Sequence, residues 1–173
     1  KRFSVYYDPY LIVLISLLSV IGLFFLYSAS DANLSILIKQ SIFVFFGLIL
    51  MVLMSQPDPQ IYYSYSGIFL LISIFLVFVA ILFGPQINGA NRWISFGFIT
   101  LQPSELCKIF LPIYIASYLY SVSLPINLKN TFLTIFLIFI VFFIVSSQPD
   151  LGTAIVILFS GLYVLFLAGL SWT

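Results

Sequence analysis

Uncharged apolar runs as long as a bilayer is thick recur along this chain, beginning with PYLIVLISLLSVIGLFFLYSAS at residues 9–30. A hydrocarbon core of about 30 Å takes about 20 helical residues to cross, and lipid offers no partner to an unpaired peptide group, so such runs must be helices. The charges that punctuate the chain divide it into six spans, at about 9–28, 37–55, 67–83, 103–120, 130–146 and 149–170. The fold class this implies is all-α: a polytopic membrane helix bundle forming a single transmembrane domain. Charged residues make up only 6% of the chain, against about 25% in soluble domains, which leaves too little polar surface to cover a globule in water. Lys1 and Arg2 ahead of an apolar run imitate a signal peptide, but the run is too long for one and further spans follow.

Several function classes drop out. Six Lys or Arg against five Asp or Glu provide no polybasic surface for nucleic acid. Cys107 is the lone cysteine and histidine is absent, so one copy can form neither a disulfide nor a Cys/His metal site. Walker, dinucleotide and zinc motifs are missing, and the sequence implies no cofactor. A start without Met and an end at GLSWT, directly after an apolar run, suggest a piece of a longer protein. For orientation, Lys1, Arg2 and Lys129 fall on one side of the membrane and Lys39 and Arg92 on the other, which favours a cytoplasmic N-terminus. The loop NGANRWISFGFITLQ and the turn QPDLGT then face the same outer compartment.

Charge inside this hydrocarbon setting asks for a reason, and it gathers in NGANRWISFGFITLQPSELCKIF, residues 88–110. Pro103 and Pro149 read as first-turn prolines of the fourth and sixth helices. Glu105 and Asp150 then occupy first turns, where the helix dipole favours a carboxylate and no further role is required. Lys108 is harder to place, because a lysine a turn deeper costs up to about 3 kcal/mol and an i,i+3 pair with Glu105 returns only about 0.2–0.5 kcal/mol. Either its side chain snorkels to the interface, or Lys108 bridges Glu105 and Asp150 in one partly buried network with Arg92 close by. Asp8, Asp31 and Asp58 read as solvated span ends, the Tyr-rich YYSYSG segment with Trp93 and Trp172 as interfacial belts, and Gly22, Gly47 and Gly161 as candidate close-contact positions. The dipeptide QP recurs at even spacing, at Gln56, Gln102 and Gln148, but the copies fall on opposite sides of the membrane and do not mark a repeat.

GANRWISFGFITLQPSELCKI closely resembles the signature of the SEDS family (shape, elongation, division and sporulation), and QPDLGT resembles its second signature. Gly89, Gln102, Pro103 and Ser104 belong to the first, and Gln148, Pro149, Gly152 and Thr153 to the second. The ending LFLAGLSW is similar to the rod-shape-determining branch more than to the division or sporulation branches. The resemblance implies a bacterial cytoplasmic-membrane enzyme of about ten helices. Such an enzyme polymerises lipid II into glycan strands during cell elongation, together with a class B penicillin-binding protein. It also implies that Glu105, Lys108 and Asp150 form a charge network, that Arg92 is the loop arginine, and that the catalytic aspartate lies in a later external loop beyond this sequence. No catalytic residue is therefore expected within the chain, and dependence on a divalent metal is left open. In the implied reaction a sugar hydroxyl attacks an anomeric carbon carrying a diphosphate-lipid leaving group. Arg92, with a planar fork that holds two oxygens, is the candidate contact to the diphosphate or head group. A lipid-precursor flippase and a non-catalytic scaffold for the penicillin-binding protein are the competing readings.

Overall fold

The computed structural model describes residues 8–87, 89–97, 99–122 and 126–169, so Lys1, Arg2, Trp172 and the end of the sixth span lie outside the described residues. Two compact units emerge, residues 1–58 and 59–173. In the first, α1 (Pro9–Ala29) packs against α2 (Leu34–Met54). Asp8 caps α1, its Oδ1 accepting the Tyr10 amide at 2.9 Å, and Asn33 caps α2 by accepting the Ser35 amide at 3.0 Å. Between the helices Asp31 and Ala32 turn the chain with φ of 53° and 59°. Neither helix has a buried residue. Apart from Lys39 and Gln40 near the start of α2, both are apolar along most of their length, as lipid contact requires.

The second unit contains α3 (Pro59–Phe83), a hairpin of β1 (Ile94–Phe96) and β2 (Ile99–Leu101), α4 (Pro103–Tyr120), α5 (Leu128–Ser146) and α6 (Leu151–Leu167). Buried positions recur every three to four residues: Ser66, Leu70, Ser73, Val77 and Ala80 on α3; Cys107, Leu111, Ile115 and Leu119 on α4. Thr134, Ile138, Val141 and Val145 continue the pattern on α5, and Ala154, Ile157, Gly161 and Leu165 on α6. These stripes meet because α4 packs on α3, α5 and α6, and α5 on α6. In lipid the gain comes from close fit and not from expelled water, which rewards small residues at the seam. Gly161 shows this directly, since a Cβ there would sit 2.8 Å from Ile138 Cγ1 and 3.3 Å from Ile115 Cδ1. The expectation for Gly22 and Gly47 is not met, for nothing lies within 4 Å of a Cβ at either. Some seam hydroxyls are satisfied within their own helices, Ser73 Oγ donating to the Phe69 carbonyl at 2.7 Å and Thr134 Oγ1 to the Asn130 carbonyl at 2.8 Å, while Ser117 Oγ of α4 reaches across to the Tyr63 carbonyl of α3 at 3.2 Å.

Some boundaries differ from the sequence reading. The third helix begins at Pro59, not near Gly67, and carries YYSYSG on its first turns. Hydropathy marks depth in the membrane, whereas a helix continues past that depth if its residues allow. Tyr63 meets Tyr120 of α4 edge to face at 5.4 Å, so that pair is also a helix-helix contact. The sixth helix begins at Leu151, with Asp150 as its N-cap and Pro149 in the preceding turn, which corrects Pro149 as a first-turn proline and Asp150 as a first-turn acid. Asp150 is the better start signal, because its carboxylate can accept from the free amides of the first turn, as it does from Thr153 at 3.4 Å. Pro103 is the first residue of α4, as expected.

Candidate functional site at the starts of α4 and α6

The segment between α3 and α4 is held to the end of α3. Gly84 is where the chain leaves the helix, and a Cβ there would lie 2.5 Å from the Trp93 carbonyl oxygen, so only glycine allows this approach. Gly89, with φ of 79°, forms the tight turn that pairs Ile87 with Ala90. Gln148, buried in the turn before α6, donates from Nε2 to the Asn91 carbonyl at 3.1 Å and more weakly to the Val77 carbonyl at 3.5 Å. One amide thereby ties the α5–α6 turn, the loop and α3 together.

Arg92 follows Asn91, and its Nη1 lies 3.7 Å from Asp150 Oδ1. The other carboxylate oxygen of Asp150 accepts from Gln102 Nε2 at 2.7 Å, and Oδ1 also caps α6 through the Thr153 amide. Asp150 is 7% exposed. Its charge is thus shared by a guanidinium, a side-chain amide and a helix N-terminus drawn from three parts of the chain, the loop, α4 and α6. These three partners satisfy the oxygens of a nearly buried carboxylate, which would be costly to leave unpaired. The expectation that the loop and the QPDLGT turn lie on one side is met, because they touch.

The single network bridged by Lys108 is not formed. Lys108 Nζ pairs with both Glu105 oxygens at 2.8 Å, and the two side chains are 31% and 49% exposed. Among the described residues, Asp150 has Arg92 as its ion partner and Lys108 has Glu105. The reason is reach and direction: Lys108 satisfies its charge one turn back along its own helix, while Arg92 approaches Asp150 from the loop side. Lys108 therefore behaves as the partly exposed member of an i,i+3 pair. Among the remaining signature residues, Ser104 is fully buried and its Oγ has no hydrogen-bond partner, while the space around Gly152 is open. Arg92 Nε and Gln148 Oε1 are also buried without partners, which leaves donor and acceptor capacity beside Asp150.

Sequence reasoning assigned Gln102 and Gln148 only a supporting place in the motifs and gave them no partner. The loop before α4 also holds a hairpin, which is legible in the alternation of Ile94, Phe96, Ile99 and Leu101 with Ser95 and Thr100 around Gly97, the pattern of two short strands. Cofactor and metal readings stand where the sequence left them; among the described residues no group of three or more His, Cys, Asp or Glu gathers to hold a metal ion. A groove of about 640 Å³ lined by Tyr62, Tyr63, Ser117 and Tyr120, among others, lies at the other ends of α3 and α4, away from the charges.

A helical membrane unit with a capped, arginine-paired aspartate at one helix start and a second ion pair at another defines a multi-pass membrane protein with a polar site at one bilayer boundary. The family model described as FTSW_RODA_SPOVE, cell cycle protein, matches residues 8–173. The chain belongs to that family. It is 36% identical over 169 residues to the peptidoglycan glycosyltransferase MrdB of Escherichia coli K12, covering 98% of this chain and 46% of that protein. To the probable peptidoglycan glycosyltransferase FtsW of Buchnera aphidicola from Acyrthosiphon pisum it is 39% identical over 135 residues, covering 76% of this chain and 34% of the relative. The crystal structure of the rod shape determining protein RodA of Thermus thermophilus superposes with a TM-score of 0.88 at 29% identity, over 98% of this chain and 56% of that one. A chain from a peptidoglycan synthase complex that coordinates polymerization and crosslinking superposes with a TM-score of 0.86 at 30% identity, over 96% and 49%. The likeness to the rod-shape-determining branch is borne out, and the chain spans about half the length of the curated relatives it matches.

Proposed function

We propose that this protein takes part in lipid II polymerisation as a RodA-like peptidoglycan glycosyltransferase of cell elongation. It does so in the bacterial cytoplasmic membrane, with its N-terminus in the cytoplasm and a class B penicillin-binding protein as partner. The observation that carries this reading is the Arg92–Asp150–Gln102 cluster, built from both family signatures at one bilayer boundary. A diphosphate on a lipid carrier presents its charge at that depth, with its chain in the membrane. Arg92 meets such a group with the partly exposed part of its planar fork, and Asp150 fixes the fork's direction. Glu105 and Lys108 act in arrangement, as a pair on the flank of α4. The names of the relatives favour glycosyl transfer over lipid translocation or a purely scaffolding role.

The test incubates the purified full-length protein with labelled lipid II, alone and with a penicillin-binding protein that lacks glycosyltransferase activity. Glycan strands are the expected product. Head-group translocation without polymer, or partner binding with neither activity, would overturn the reading. Arg92→Ala is expected to weaken lipid II binding more than Arg92→Lys, which keeps the charge but loses the fork.

A further inference from the structure

The hairpin between α3 and α4 divides its side chains by chemistry. In its register Ile94 faces Leu101, Ser95 faces Thr100, and Phe96 faces Ile99. Cross-strand partners share a face and successive residues alternate, so one face of the ribbon is Ile94, Phe96, Ile99 and Leu101 and the other is Ser95 and Thr100. Ile94 and Leu101, at the base, are half-buried, but Phe96 and Ile99, towards the turn, are 65% and 56% exposed. A two-stranded ribbon of this length is marginal in water and leaves that apolar pair uncovered.

We propose that this ribbon is an interfacial membrane anchor, lying with its Ile94–Phe96–Ile99–Leu101 face in the acyl boundary of the adjoining leaflet and its Ser95–Thr100 face towards water. Three features select lipid as the occupant. The ribbon connects the end of α3 to the start of α4, so it is fixed at the depth where spanning helices leave the hydrocarbon. Its base lies against α3, whose last residues Leu82 and Phe83 are 71% and 81% exposed, which carries an apolar helix surface up to the ribbon. Trp93, of the residue type enriched at the headgroup level, directly precedes the first strand. The anchoring is functional in consequence, because Arg92 and Gln102 flank the ribbon and its depth sets the depth of the polar site. The split into one apolar and one polar face is the same device by which amphipathic helices lie in the interface.

Spin labelling of the full-length protein in phosphatidylglycerol–phosphatidylethanolamine liposomes tests this. Labels are placed one at a time at Ser95→Cys, Phe96→Cys, Ile99→Cys and Thr100→Cys, in a Cys107→Ser background or, if that variant folds poorly, Cys107→Ala. Collisions with oxygen, which concentrates in lipid, are compared with those of a water-soluble nickel complex. At positions 96 and 99 oxygen should dominate, and at 95 and 100 the nickel complex, so that the logarithm of the ratio changes sign between the two faces. Nickel dominance at all four positions would place the ribbon in water. Protection of 96 and 99 from both reagents would show another protein segment covering the face. Either result overturns the anchor, and neither depends on the polymerase activity.

Discussion

Arg92 and Asp150 are expected to be energetically coupled, and Lys108 and Asp150 are not. At 3.7 Å and an effective dielectric constant of about 20, two unit charges attract by about 4.5 kcal/mol before desolvation. Most of that is lost: the Arg92 side chain is 27% exposed and the separation exceeds a hydrogen bond. Exposed pairs return about 0.2–1 kcal/mol and broken buried pairs cost about 3–5 kcal/mol, which brackets the net coupling here at about 1–2 kcal/mol. The single variants should be unequal. Arg92→Ala strands a carboxylate that is nearly buried and keeps only Gln102 and the Thr153 amide, whereas after Asp150→Asn the arginine can turn towards water. Double-mutant cycles on the full-length protein in detergent, read by reversible unfolding, give the coupling terms. Arg92→Ala with Asp150→Asn should deviate from additivity by that ~1–2 kcal/mol, and Glu105→Gln with Lys108→Ala by about 0.2–0.5 kcal/mol. Lys108→Ala with Asp150→Asn should be additive within about 0.5 kcal/mol. A Lys108–Asp150 term as large as the Arg92–Asp150 term would refute the separation into two pairs and restore a single network.

Gln148→Leu removes the donor that binds the Asn91 carbonyl and should cost about 1–3 kcal/mol, seen as a lower unfolding midpoint with faster proteolysis in the segment 85–102. Gly161→Val drives a branched side chain into Ile138 and should cost about 1–3 kcal/mol, with Ile138→Ala restoring part of the loss; no rescue would mean that the α5–α6 seam is not set by this contact. Gly84→Ala meets backbone at Trp93 and should be clearly destabilising, while Gly22→Ala, with open space around it, should be neutral or stabilising by about 0.5–1 kcal/mol on the same unfolding assay. In intact cells Asn91→Cys should react with an impermeant thiol reagent and Asn127→Cys only after lysis, each in the Cys107→Ser background; the reverse pattern would invert the topology.

The spans were legible because lipid removes alternatives: an uncharged run of that length has one low-energy secondary structure. Their ends were less so. Pro59 starts α3 although the next turns are polar and aromatic, and hydropathy has no means of reading a helix that extends into the headgroups. At α6 the competition was between two start signals one residue apart, Pro149 and Asp150. The one able to accept from a free amide is the cap. The charged residues themselves were legible from their cost, since any ion among so many apolar side chains must have a compensating partner.

Which partner each ion takes was not legible, and the reason is physical. The choice between Lys108 and Arg92 for Asp150 depends on where a loop residue is carried by Gly84, Gly89 and the Gln148 amide, none of which is charged. Lys108 had a local acid within reach and closed on it, at the small loss of entropy that an i,i+3 pair requires. Arg92 had no such neighbour in sequence, and a donor fork in a glycine-shaped loop pinned to α3 can be aimed across to another helix. Asp150 needed both kinds of support. Its cap bond to Thr153 is local and could be inferred from the sequence around it, but the bonds from Gln102 and Arg92 exist only once α4 and α6 lie side by side. A carboxylate that completes its shell only in the assembled bundle registers the packing of α4 against α6. The polar site and the fit at Gly161 are therefore two ends of one seam, and a change that opens the seam at Gly161 should loosen Arg92 as well.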